Sequence, residues 1–109
     1  TLAKYAVGDY LKAFPEKTFE IIEKFSNSEA MWLNRTAIIF QLGYKESTDF
    51  ELLRSECEKH KHSTEFFIQK AIGWSLRQYA KTAPNEVLNF VIQTNLDGLA
   101  KREALKKLT

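Results

Sequence analysis

The sequence holds one cysteine, two prolines, four glycines and two histidines in 109 residues, and it has no long apolar run. Each scarcity excludes something. Cys57 alone cannot form an internal disulfide, so a reducing, cytoplasmic setting is expected. The longest apolar stretches, AIIF and FFI, fall far short of the about 20 residues that span a bilayer, so no membrane partner is expected. The opening segment TLAKYAVGDY mixes charge with apolar residues and lacks the hydrophobic stretch of a signal peptide. Alternating apolar and polar positions are missing, as are Asn-Gly and Asp-Gly hairpin turns, which argues against β-structure. Gly-rich phosphate loops, nucleophile elbows and serine triad patterns are equally missing. The chain opens on Thr1, not Met, and is expected to be part of something longer.

What remains is a chain with 44% hydrophobic and 13% aromatic residues, enough for the core of one domain over residues 1–109. The net charge of +2 is too small to announce nucleic-acid binding by itself. Its distribution is more informative. Residues 1–60 carry 8 basic and 10 acidic side chains, whereas residues 61–109 carry 8 and 4, so positive charge gathers in the C-terminal half.

Helical spacing predicts helices over 2–13, 16–26, 29–44, 49–61, 64–82, 85–94 and 99–108. Pro15 and Pro84 fall at first-turn positions, where a missing N–H costs nothing. Ser28, Thr48 and Ser63 are candidate N-caps, and Asn27, Gly43 and Asn95 candidate stops. The segments WLNRTAIIF, FFIQKAIGW and LAKREALKK align on Ala37, Ala71 and Ala104, spaced 34 and 33 residues apart. The segments YLKAFPEKTFEII and YAKTAPNEVLNFV match at an offset of 69, about two repeats. A helix pair of this length cannot bury its apolar face alone, so the pairs are expected to stack into an α-solenoid. A non-repetitive helical bundle is the alternative.

The segment STEFFIQKAIGWSLRQYAK bears two stripes. Ile68, Ala71, Ile72, Leu76 and Tyr79 have core spacing. Phe67, Lys70, Trp74, Arg77 and Lys81 form a second stripe in which a tryptophan lies among cations. Such a set suits a polyanion with flat surfaces, the cations meeting phosphates and the indole a base or sugar. Equally, Trp74 could pack between repeats with Arg77 and Lys81 lying over it. Arg35 lies one register from an apolar face and aligns with Gln69 and Arg102. It could grip a phosphate or pair with a carboxylate such as Glu65. In LAKREALKKL, Arg102 and Lys106 are one turn apart with Lys101 and Lys107 beside them, a pattern that a solvated face explains as well. Cys57, His60 and His62 in CEKHKH lack the fourth ligand of a structural zinc site, so no metal is expected. No carboxylate pair stands out as acid and base.

The segments WLNRTAIIFQLGYK, EFFIQKAIGWSLRQYAKTAPNEVLNFV and LAKREALKKL together resemble the C-terminal half of the AlkD-like DNA alkylation repair glycosylases. The resemblance implies an all-α, right-handed stack of HEAT-like repeats, here the C-terminal part of a longer solenoid. It implies duplex DNA as partner and removal of cationic alkylpurines, such as N7-methylguanine and N3-methyladenine, without a cofactor and as a monomer. Trp74, Arg35 and Arg77 match DNA-facing positions of the family's cleft, and Lys70, Lys81 and Arg102 extend the same candidate surface. The family's catalytic aspartate closes a WWDxVD motif one repeat before the arginine matching Arg35. No such motif occurs here, and Asp9 matches a different position. By that spacing the aspartate is expected upstream of Thr1. A non-catalytic DNA-binding member and a protein-interaction scaffold remain the alternatives.

Overall fold

A computed structural model of the chain describes residues 2–106, with side chains from Val7 onward. Among the described residues there are seven α-helices and no strand. They are α1 (Leu2–Ala13), α2 (Thr18–Ser26), α3 (Met31–Ile39), α4 (Phe50–His60), α5 (Phe66–Ala80), α6 (Pro84–Gln93) and α7 (Gly98–Ala104). None is long and apolar enough to cross a membrane. The helices α1, α3, α5 and α7 pack in a row, with α2 and α4 against α3 and α6 against α5.

Small side chains make the row close. The aligned alanines Ala37, Ala71 and Ala104 are all buried. Gly73 adds a nearer approach, because a Cβ there would overlap Glu103 Cβ and meet the Ala100 carbonyl at 3.0 Å. The predicted core stripe Ile68, Ala71, Ile72 and Leu76 is buried, and Tyr79 stacks on Phe50 at 4.8 Å between ring centroids. Helix α3 and its C-cap Phe40 serve two clusters: Ala37 and Phe40 join Leu11 and Ile22, while Ile38 and Ile39 join the larger core of α4 to α7.

The boundaries depart from the sequence expectation in instructive ways. Asp49, not Thr48, caps α4, its Oδ1 accepting from Leu52 N at 3.2 Å. Ser28 and Ser63 each sit two residues ahead of the N-cap, their hydroxyls accepting from Ala30 N at 3.0 Å and Glu65 N at 3.1 Å. The chain just before each helix is held from inside that helix. Asn34 Nδ2 donates to the carbonyls of Phe25, Ser26 and Ser28 at 2.9, 3.1 and 2.9 Å. Gln69 Nε2 does the same for Lys61 and Ser63, at 3.0 and 2.8 Å. Helix α3 ends at Ile39, five residues before the predicted helix end at 44, and the chain passes through tight turns to Gly43 at φ +89°. There the buried Gln41 amide clasps the Asp49 backbone, donating to its carbonyl at 3.1 Å and accepting from its N–H at 2.6 Å. Asn27 and Asn95 do follow helix ends, Asn95 in the left-handed region at φ +54°. The predicted end of the last helix, Lys107 included, lies outside the described residues.

The CEKHKH residues diverge. Cys57 is fully buried, 4.0 Å from Ser75 Oγ, and burial pushes its thiol pKa up to about 12. His62 is exposed. His60 faces α2, its Nε2 lying 3.1 Å from Ser26 Oγ and 3.9 Å from Glu56 Oε1. Burial, then the nearby Lys59, lowers the His60 pKa, so the ring is neutral at pH 7 and this contact is not an ion pair. Burial likewise raises the Glu56 pKa, against the smaller pull of Ser26 and Lys59, and its buried Oε1 has no hydrogen-bond partner.

Two stability outcomes follow. Gly73→Ala gains about 1 kcal/mol of helix propensity. It also forces a methyl against the Ala100 carbonyl and the base of the Glu103 side chain, at a cost of about 1–3 kcal/mol. The clash is expected to win, and a lower melting temperature by circular dichroism checks it. For Glu56 the folded pKa is raised, so its contribution is fully present below the ordinary carboxylate range and lost as pH rises through the raised value. Glu56→Gln removes that loss. Its melting temperature relative to the native protein should therefore increase between pH 4 and pH 7.

Candidate nucleic-acid interface

The second stripe of α5 lies off the core. Phe67 and Lys81 are exposed, while Lys70, Trp74 and Arg77 are half-buried. Helix packing brings Arg35 of α3 to this stripe, as the side chain of the preceding aligned segment. Its guanidinium carbon lies 5.9 Å from the ring centroid of Trp74 and 5.9 Å from that of Trp32. Trp32, more than half exposed, packs in turn against Phe67 with the rings tilted and their centroids 5.2 Å apart, and Phe67 meets Phe66 edge-on at 5.3 Å. The result is one aromatic surface built from α3 and α5 with a cation set into it.

The way Arg35 is held matters chemically. Aromatic faces attract a guanidinium by charge and dispersion while leaving its N–H edges unused. The suggested pairing with Glu65 is not formed, since among the described residues no carboxylate lies within 4.0 Å of Arg35. Its Nε is buried and has no hydrogen-bond partner. A buried donor left unmade is costly and calls for an acceptor. Trp32 was missed from sequence as part of this site, although its i, i+3 spacing from Arg35 was the available signal.

Arg77 is held differently. Its Nη1 donates to Glu103 Oε1 at 2.9 Å, across to α7. Lys70 Nζ lies 3.6 Å from the same oxygen, and Lys106 Nζ lies 3.8 Å from Glu103 Oε2. Burial alone would raise the Glu103 pKa, but Lys106, Lys70 and Arg77 together outweigh it and hold the carboxyl below its usual range. The sequence reading did not single out Glu103, though it is the one acid in LAKREALKKL.

The remaining candidates stand apart. Lys81 occupies the C-cap of α5 and lines a cavity of about 360 Å³ with Gln41, Tyr79 and Thr82. Arg102 is exposed on α7 and has no ion-pair partner among the described residues. No group of three His, Cys, Asp or Glu side chains is placed to hold a metal ion among the described residues.

With this geometry in place, similarity to known proteins is informative. The family model described as DNA alkylation repair enzyme matches residues 1–108. No curated protein matches the chain. Among solved structures, the predicted DNA alkylation repair enzyme from Enterococcus faecalis shares 39% identity over 94% of this chain, with a TM-score of 0.87. The match takes in 48% of that protein, so the present chain spans about half the length of its relative.

Proposed function

This chain belongs to the DNA alkylation repair enzyme family, and from that membership we propose that it forms one wall of the DNA cleft of an alkylpurine glycosylase. The observation that carries the reading is Arg35, fixed between the faces of Trp32 and Trp74 with a buried, unpaired Nε. The side chain as a whole is only half-buried, so its terminal N–H groups can take a phosphate oxygen, and the indoles beside it offer apolar faces to a deoxyribose or base. The row of α3, α5 and α7 is what supports a HEAT-like solenoid, which this reading takes as right-handed and as the C-terminal part of a longer one. In this reading the protein works in the cytoplasm as a monomer.

The chemistry divides between two parts of the protein. An alkylated purine such as N7-methylguanine carries positive charge and is a good leaving group, so the bond to C1′ breaks toward an oxocarbenium-like sugar. Stabilising that cation and orienting water calls for a carboxylate, as in glycoside hydrolysis. The 109 residues contain no WWDxVD sequence, and none of their carboxylates lies beside Arg35 within 4.0 Å among the described residues. The role of this wall is therefore positional: Arg35 sets the register of the strand, and Trp74 contacts the sugar or base face. Lys81 and Arg102 add backbone contacts that read no sequence. No cofactor enters.

The test has two arms. Arg35→Ala should weaken binding to all duplex sequences alike and flatten the slope of log affinity against log salt by about 0.9, the loss of one phosphate contact. An unchanged slope would remove Arg35 from the interface. In the second arm, Thr1–Thr109 alone should release no N7-methylguanine from methylated duplex, with chelator present. A longer protein that includes a WWDxVD segment should release it, and Trp74→Ala there should lower the rate more than the stability. Inactivity of that longer protein would leave a non-catalytic DNA-binding role in its place.

A further inference from the structure

Glu103 gathers more positive charge than an ion pair between helices needs. One oxygen faces Arg77 at 2.9 Å and Lys70 at 3.6 Å, and the other faces Lys106 at 3.8 Å. A single negative charge spread over two oxygens and met by three cations is also the arrangement of a phosphodiester bound through its two non-bridging oxygens. We propose that Lys70, Arg77 and Lys106 form a phosphate site of the DNA cleft, and that the Glu103 carboxylate occupies it until DNA arrives.

Three features point to an occupant that can be replaced. Only the Arg77 contact has hydrogen-bond length, and the two lysine contacts are longer. The lysine side chains are 43% and 61% exposed, so their ammonium groups can swing from the carboxylate to an incoming phosphate at the surface. The two lysine contacts, whose cations lie largely in solvent, contribute little to stability and are readily given up. Finally, Lys70 and Arg77 flank Trp74 on the outer stripe of α5, so a strand following Arg35 and Trp74 passes these cations next. The overlap that any Cβ at Gly73 would have with Glu103 shows how closely the backbone of α7 is seated there, so clearing the site is left to side-chain rotation. Glu103 thus discounts the charge of the basic face and weakens binding to any duplex that does not seat a phosphate there.

The inference rests on the DNA-binding reading above, and the experiment separates the two. Glu103→Gln keeps the shape and an acceptor for Arg77 while removing the charge. It should bind duplex DNA roughly five- to tenfold more tightly at low salt, the size of one unit charge's repulsion at contact distance in water. The gain should fade at high salt. A purely structural Glu103 predicts the opposite sign, since loosening α7 would weaken binding. Carboxyl NMR of the native protein provides a second readout that needs no variant: saturating duplex should move the Glu103 pKa up toward the ordinary range. Arg35-dependent binding in the native protein, with Glu103→Gln no tighter or the carboxyl pKa unmoved, would overturn the proposal and leave the DNA-binding reading standing. A native protein with no salt-dependent duplex binding would remove both.

Discussion

The basic face depends on how closely α7 can lie against α5. At Gly73 there is room for a hydrogen and no more, and the buried alanines at 100 and 104 keep the α7 side of that seam thin. This separation brings Glu103 within reach of Arg77 and Lys70 on the facing helix. A wider seam would leave three cations unopposed and would move the end of the row relative to Trp74. Van der Waals contact between backbones, not the ion pairs themselves, is therefore the interaction on which the electrostatics are built. Ion pairs at a partly exposed seam are weak, and they follow the packing.

Two arginines one helix apart illustrate what packing adds to residue type. Arg35 is gripped by aromatic faces and keeps an unused N–H, whereas Arg77 spends its edge on a carboxylate. One is presented and the other is restrained. The distinction depends on neighbours that come from different helices, α3 with α5 in one case and α5 with α7 in the other.

That is also why the sequence was legible only to a certain depth. The seven helices, the buried alanines of the repeat and both stripes of α5 follow from periodicity, which is a property of one segment at a time. Caps were misplaced because Ser28 and Ser63 bond to backbone two residues ahead, forming turns that imitate a cap in sequence. The early end of α3 was hidden because Gln41, polar yet buried, serves the backbone of Asp49 eight residues away. Trp32 and Glu103 were overlooked because their importance comes from a second helix. Gly73 carries no signal within its own segment, because only the backbone of α7 opposite it shows why nothing larger fits.

The clasp that Asn34 makes with three carbonyls ahead of α3 bears on how this protein can change over evolutionary time. Connecting segments ordinarily absorb insertions and deletions freely. Here the amide that organises residues 25–28 is the immediate neighbour of Arg35, and Gln69 stands in the same relation to Lys70. One residue added to either connection would pull the carbonyls out of register with their donor and disturb the side chain next to it. These two short connections should accordingly keep a fixed length, while variation in length is diverted to turns that no side chain from the following helix holds.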